Sequence, residues 1–139
     1  ENGVLKSYLL DTYSARKLGL ESTANASRGS SGGVGPSTTN FILQPGTQSP
    51  EDVLKSTKSG LYVTEMMGFG FNAVPGDFSR GASGFRIVNG EIAGPVAEIT
   101  VAGNLLDMIR ALVPADDLKR FRALDVPTVR VDGMTVAGS

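Results

Sequence analysis

GLYVTEMMGFGFNAVPGDFSRGASGFRIVNGEIAGPVAEITVAGNLLDM, residues 60–108, is a succession of short apolar runs cut by glycine and proline. Turn signals at Gly68-Phe69-Gly70, Pro75-Gly76, Asn89-Gly90 and Gly94-Pro95 divide it into strands of ordinary length. The sharpest is Asn89-Gly90, inside Phe85-Arg86-Ile87-Val88-Asn89-Gly90-Glu91-Ile92-Ala93. Asn-Gly accepts the positive φ of a two-residue type I′ turn, so the flanks should pair as a hairpin. In that register Ile87 faces Ile92 and Phe85 lies on the same side. Arg86, Val88, Glu91 and Ala93 take the other side, with Arg86 and Glu91 diagonal neighbours. The chain therefore reads as a β-rich α+β protein: a short-stranded, mostly antiparallel sheet or barrel-like core, about eight to ten strands and two or three helices.

Working outward, Val4 to Leu10 is expected as a first strand, although Lys6 and Ser7 interrupt its alternation. Thr12 should cap a helix from Tyr13 to Leu18 that Gly19 ends. Residues 21–37, ESTANASRGSSGGVGPS, are small and polar and read as a long loop. Gly29, Gly32, Gly33 and Gly35 mark its expected mobile part. A phosphate-binding loop would need a following Lys-Ser/Thr and a strong helix, and neither is there. Thr38 to Gln44 is the next expected strand. Ser49-Pro50-Glu51-Asp52 gathers a cap, a first-turn proline and a capping-box acid, predicting a helix to about Ser59. Downstream, Asn104 or Gly103 should open a helix with Leu105, Met108, Ile109 and Leu112 as its apolar face, packed on the sheet and stopped at Pro114. Pro114 to Arg122, with Asp116, Asp117, Lys119, Arg120 and Arg122, reads as a solvated turn. The tail suggests a second hairpin turning at Asp132-Gly133, with Val129, Val131, Met134 and Val136 on one face.

The chain has 139 residues, a length that suits a single domain. A net charge of −1 offers no basic face for nucleic acid. Cysteine and histidine are both absent, so disulfides, thiolate chemistry and Ser-His or Cys-His sites cannot be built from these residues. No apolar run approaches the roughly 20 residues needed to cross a bilayer as a helix. Cytoplasmic residence is compatible with all of this. The chain opens Glu1-Asn2-Gly3 without methionine, which reads as a fragment or a domain excised from something longer.

A Ser-Lys dyad has no favoured spacing. A carboxylate metal site would need several converging oxygens, and Glu65, Asp77, Glu98 and Asp107 are separate candidates. Gly76-Asp77-Phe78-Ser79-Arg80-Gly81 is the one polar cluster within the sheet region. It reads either as a turn in which Asp77 or Ser79 bonds nearby N–H groups, or as a corner where Asp77, Ser79 and Arg80 contact a peptide or partner.

Several ordered blocks together resemble the C-terminal region of the TldD/PmbA family. They are Leu9-Leu10-Asp11-Thr12-Tyr13-Ser14-Ala15-Arg16-Lys17-Leu18-Gly19, Val63-Thr64-Glu65-Met66-Met67-Gly68, residues Gly76 to Gly84, Asn89-Gly90-Glu91-Ile92, and Ala102-Gly103-Asn104-Leu105-Leu106-Asp107-Met108. Pro75 departs from the pattern, which usually has Thr there, but leaves the turn intact. The resemblance implies a two-subunit peptidase in which TldD carries zinc and PmbA, or TldE, does not. It also implies peptide substrates and an older description as modulators of DNA gyrase. The family's zinc ligands are a His-Glu-x-x-x-His helix, upstream of residues like these, and a cysteine near the C-terminus. Residues 111–128 hold no cysteine, and the wording NLLDM is similar to PmbA rather than TldD. The expectation is a non-metal subunit with no catalytic or metal-binding residue in this stretch, no cofactor of its own, and zinc only in a TldD-like partner. Partnership with a TldD-like subunit, or a homodimer, follows from the same resemblance. The alternatives are the tail of a zinc peptidase whose ligands lie upstream, or a binding protein that modulates DNA gyrase.

Overall fold

The computed structural model describes residues 4–30 and 32–138. The opening Glu1-Asn2-Gly3, and Ser31 within the expected mobile loop, lie outside the described residues. The fold is strand-rich α+β with three helices and eleven strands among the described residues. It divides into two compact units, one reaching to Ile42 with Phe121–Leu124 added, the other Leu43–Arg120 with Asp125–Ser139. No helix among the described residues is long and apolar enough to cross a membrane.

In the first unit α1 spans Thr12–Leu18. Its cap is Asp11 rather than Thr12: the Asp11 carboxylate accepts from the Ser14 N–H at 2.7 Å. That bond holds the Asp11 carboxyl below the usual aspartate range. Gly19 closes the helix at φ 68°. The expected strand from Val4 to Leu10 does not form among the described residues. Leu10, its most buried residue, gives its N–H to the Thr23 hydroxyl at 2.7 Å, and its carbonyl accepts from the Thr23 and Asn25 N–H groups. A ladder partner has nothing left to bond there. Residues 21–37, read as loop, contain a small hairpin of β1 (Ala26–Arg28) and β2 (Val34–Pro36), with Ala26 opposite Pro36. The Arg28 guanidinium donates to the Gly32 carbonyl across its turn at 2.7 Å. The strand expected from Thr38 to Gln44 shrinks to β3, Phe41–Ile42.

The second unit is built around two long strands. Helix α2 (Pro50–Lys55) precedes them, capped by Ser49, whose hydroxyl accepts from the Asp52 N–H at 3.1 Å and donates to the Asp52 carboxylate at 2.8 Å. It ends at Ser56, short of Ser59. Then come β4 (Ser59–Met67), β5 (Phe71–Asn72), β6 (Asp77–Val88) and β7 (Glu91–Asn104). Asn89 and Gly90 stand at φ 52° and 81°, and Ile87 pairs with Ile92 as the hairpin required. The Gly94-Pro95 signal does not end a strand. β7 runs through it, and the register slips between Phe85 and Ile87 and again between Ala82 and Gly84. The extra residues fall on β7, where Glu98 takes φ 56°.

Helix α3 (Leu105–Arg110) follows, then β8 (Leu112–Pro114), β9 (Leu124–Asp125), β10 (Val129–Val131) and β11 (Thr135–Ala137). The main sheet has the order β11-β7-β6-β4, with β5 also on β6. It is open, so the barrel alternative is not realised. The tail is not a hairpin either. β10 pairs with β8, while β11 pairs with β7, so Asp132-Gly133 carries the chain from one sheet to another. The core joins Ala82, Ile99 and Val101 to Leu61, Val63, Phe78, Val96 and Met134. Ile99 and Val101, each at or below 5% exposure, contribute about 1.5–3 kcal/mol apiece by leaving water. Helix α3 is shorter than expected and buries no residue fully; Leu106 and Ile109 face water at 62% and 58% exposure.

Candidate functional site

The expected corner at Asp77, Ser79 and Arg80 is strand rather than turn, because all three belong to β6. Strand alternation then separates them. Asp77 and Ser79 project from one face, and Phe78 and Arg80 from the other. The two faces present two open concavities that share Phe69, Gly70 and Phe71. One, of about 300 Å³, is lined by Asn72, Asp77 and Ser79 beside those three. The second, of about 550 Å³, adds Phe78, Arg80, Leu105 and Met108. Thus Asp77 and Ser79 come together, and Arg80 serves a different surface.

The shared segment is fixed by backbone. The Ser79 N–H donates to the Gly70 carbonyl at 2.7 Å, and a side chain on Gly70 would strike the Ser79 carbonyl. The turn before β6 is tied equally firmly. Gly76, at φ 81°, donates to the Asn72 carbonyl at 2.9 Å and accepts from the Leu105 N–H at 2.7 Å. Asn104, the cap of α3, reaches back to the Pro75 carbonyl at 3.0 Å. The start of α3 and the start of β6 are therefore one bonded corner. Sequence reading missed that Asn104 holds this corner and that the two phenylalanines flanking Gly70 form its rim. The Phe69-Gly70-Phe71 triplet was the available signal in the sequence, and in the structure Phe69 is fully exposed.

The carboxylates considered for metal do not converge. Glu65 pairs opposite Ser83, Glu98 sits at the β7 irregularity, and Asp107 ion-pairs with Arg110 at 3.5 Å. Among the described residues no three His, Cys, Asp or Glu side chains are placed to hold an ion. Asp117 has a bracing role instead. Its carboxylate accepts from the Thr128 N–H at 2.9 Å and from the Thr128 hydroxyl at 2.8 Å. Loss of solvation pushes its carboxyl up, but the two Thr128 bonds outweigh that and the net shift is downward.

Residues 1–138 match the family model described as the PmbA/TldA metallopeptidase C-terminal domain. The chain belongs to that family. Metalloprotease PmbA of Escherichia coli O157:H7 is 44% identical over 139 residues, covering 99% of this chain and 29% of that protein. A metalloprotease TldD homolog of Buchnera aphidicola is 28% identical over 156 residues, covering all of this chain and 32% of its own length. TldE from Thermococcus kodakarensis superposes with a TM-score of 0.85 at 26% identity, over 99% of this chain and 33% of that one. A candidate DNA-gyrase modulator from Thermotoga maritima gives a TM-score of 0.82 at 41% identity, over 99% of this chain and 32% of that one. The chain thus spans under a third of the PmbA relative it matches.

Proposed function

We propose that this chain is the C-terminal domain of a PmbA-like subunit of a TldD/PmbA-type metallopeptidase complex. That subunit holds no metal and supplies scaffold and grip, while a TldD-like partner supplies zinc. The observation that carries this reading is the grading of similarity: 44% identity to a PmbA against 28% to a TldD homolog, both across essentially the whole chain. The donor chemistry agrees. Peptidase zinc is held by imidazole or thiolate with at most a supporting carboxylate. This stretch has neither donor, and its described carboxylates are dispersed, so its residues do not fit the ion. No metal-dependent step is assigned to them.

Peptide is the substrate class such a complex would take. The concavities at Asp77 and Ser79 and at Arg80 offer side-chain pockets, and the open sheet offers strand edges for main-chain pairing with extended peptide. The test is peptide cleavage by the intact protein alone, by a TldD-like partner alone, and by both. Cleavage that needs both is expected; cleavage by the partner that ignores this protein defeats the reading. A second reading has support in the name metalloprotease carried by the PmbA relative itself. On that reading, residues preceding these hold zinc, and the intact protein freed of any partner would contain the metal in one-to-one amount.

A further inference from the structure

The larger concavity is lined by one cationic side chain, Arg80, and by no carboxylate among the described residues that form it. Its walls are Phe69, Phe71, Phe78, Leu105 and Met108, and Arg80 is the charged residue in the lining. The aromatic surface stands in water: Phe69 is fully exposed and Phe71 is 53% exposed. Arg80 lies opposite Val101 in the sheet, and its Nη2 donates to the Met66 carbonyl at 3.3 Å. Its Nε is shut off from solvent with no acceptor, and neither ion pair found among the described residues involves it. A guanidinium offers five N–H donors in a planar fork that matches a carboxylate. One that is partly desolvated, with donors unspent and apolar walls around it, is complementary to a carboxylate borne directly on an apolar group.

We propose that this concavity receives the C-terminal end of a peptide, with the α-carboxylate on Arg80 and the last apolar side chain against Phe69, Phe71 and Met108. The inference rests on the peptide-handling reading above and narrows its substrates to chains ending in an apolar residue. Geometry selects the terminal carboxylate over an acidic side chain. On a terminal residue the carboxylate and the side chain leave the same Cα, so one concavity takes both. An internal acidic residue carries its apolar neighbour on the next Cα, about 3.8 Å along the chain and pointing to the opposite side when extended.

The test is fluorescence anisotropy with the intact protein and three N-terminally labelled hexapeptides. One ends in leucine as the free acid, one is the same sequence as the C-terminal amide, and one is an amide with an internal aspartate. The free acid should bind on the order of tenfold more tightly than either amide, the loss expected for a charge-assisted hydrogen bond. Arg80→Met should erase the difference between acid and amide. Phe69→Ala changes a fully exposed side chain and leaves the fold intact, and it should weaken the acid by about threefold or more while preserving the ratio. Equal binding of acid and amide overturns the site, as does binding of the internal-aspartate amide as tightly as the acid, or binding of none. The acid-to-amide ratio in the parent and in the Phe69 variant decides even where Arg80→Met misfolds. Anisotropy needs neither partner nor cleavage. A protein that keeps the ratio but never affects cleavage retains the site and loses the peptidase role, and the converse loses only the site.

Discussion

Gly70 has no room for a methyl group, because a Cβ there would overlap the Ser79 carbonyl. Its neighbours Phe69 and Phe71 owe their positions on the rim to that close approach. Gly70→Ala should therefore cost about 1–3 kcal/mol, read as a lowered urea midpoint with unchanged slope. A variant as stable as the parent would show that the crossing is loose. At Asp117 the sign follows from linkage. The unfolded carboxyl titrates near 3.8 and the folded one lower, so between the two values the unfolded chain binds more protons. The stability contributed by the Thr128 bonds is complete above 3.8 and is lost as pH falls through the lowered folded value. Asp117→Asn should be less stable than the parent near neutral pH, by about 0.5–1.5 kcal/mol, and the gap should close in strong acid. Denaturant titrations of both proteins across that range check it; a gap that persists at low pH would point to packing rather than charge.

The hairpin of β6 and β7 was readable because Asn89-Gly90 is a local device whose φ requirement is met at the same two residues. Its tip is also clamped: Asn89 and Gly90 donate to the Lys58 and Thr57 carbonyls at 2.7 and 2.9 Å. A Cβ on Gly90 would stand 2.6 Å from the Lys55 carbonyl oxygen. Gly90→Ala should cost roughly 1–3 kcal/mol, from the positive φ and the collision together. Asn89→Gly, which suits its own φ, should stay within about 0.5 kcal/mol. Equal effects of the two in urea unfolding would deny the clamp. Caps were legible for the same reason, as at Ser49 and Asn104. Alternation was legible too, but it does not name a partner. Val129, Val131 and Val136 fit a hairpin as well as two strands in different sheets, and long-range pairing chose the second. Gly94-Pro95 misled because an irregularity within a paired strand uses the residues a turn uses. The cluster Asp77, Ser79 and Arg80 stood out in the sequence as polar residues set among apolar runs, yet its division between two faces needed the knowledge that β6 begins at Asp77.

Across the molecule, protection should follow burial rather than the number of hydrogen bonds. The hairpin of β1 and β2 is regularly paired, and its turn adds bonds from Gly29 to the Gly33 carbonyl and from Gly32 to the Gly29 carbonyl, both at 2.9 Å. None of its strand residues is buried, and a Cβ at Gly32, Gly33 or Gly35 would meet nothing within 4 Å. Opening it exposes almost no new apolar surface, so little beyond backbone bonding resists the opening, and the glycines gain more conformational entropy than other residues would. In β6 and β7 the position is reversed. Opening at Ala82, Ile99 or Val101 would break a ladder and uncover the buried side chains of the sheet's core cluster. Native-state hydrogen exchange of the intact protein, without peptide or partner, should show the amides of Gly29, Gly32, Gly33 and Gly35 exchanging fastest among the described internal segments. Those at Ala82, Ile99 and Val101 should be slowest. Uniformly high protection at those four glycines would mean that something covers the glycine-rich hairpin, and its exposed pairing would then be only part of the surface it uses.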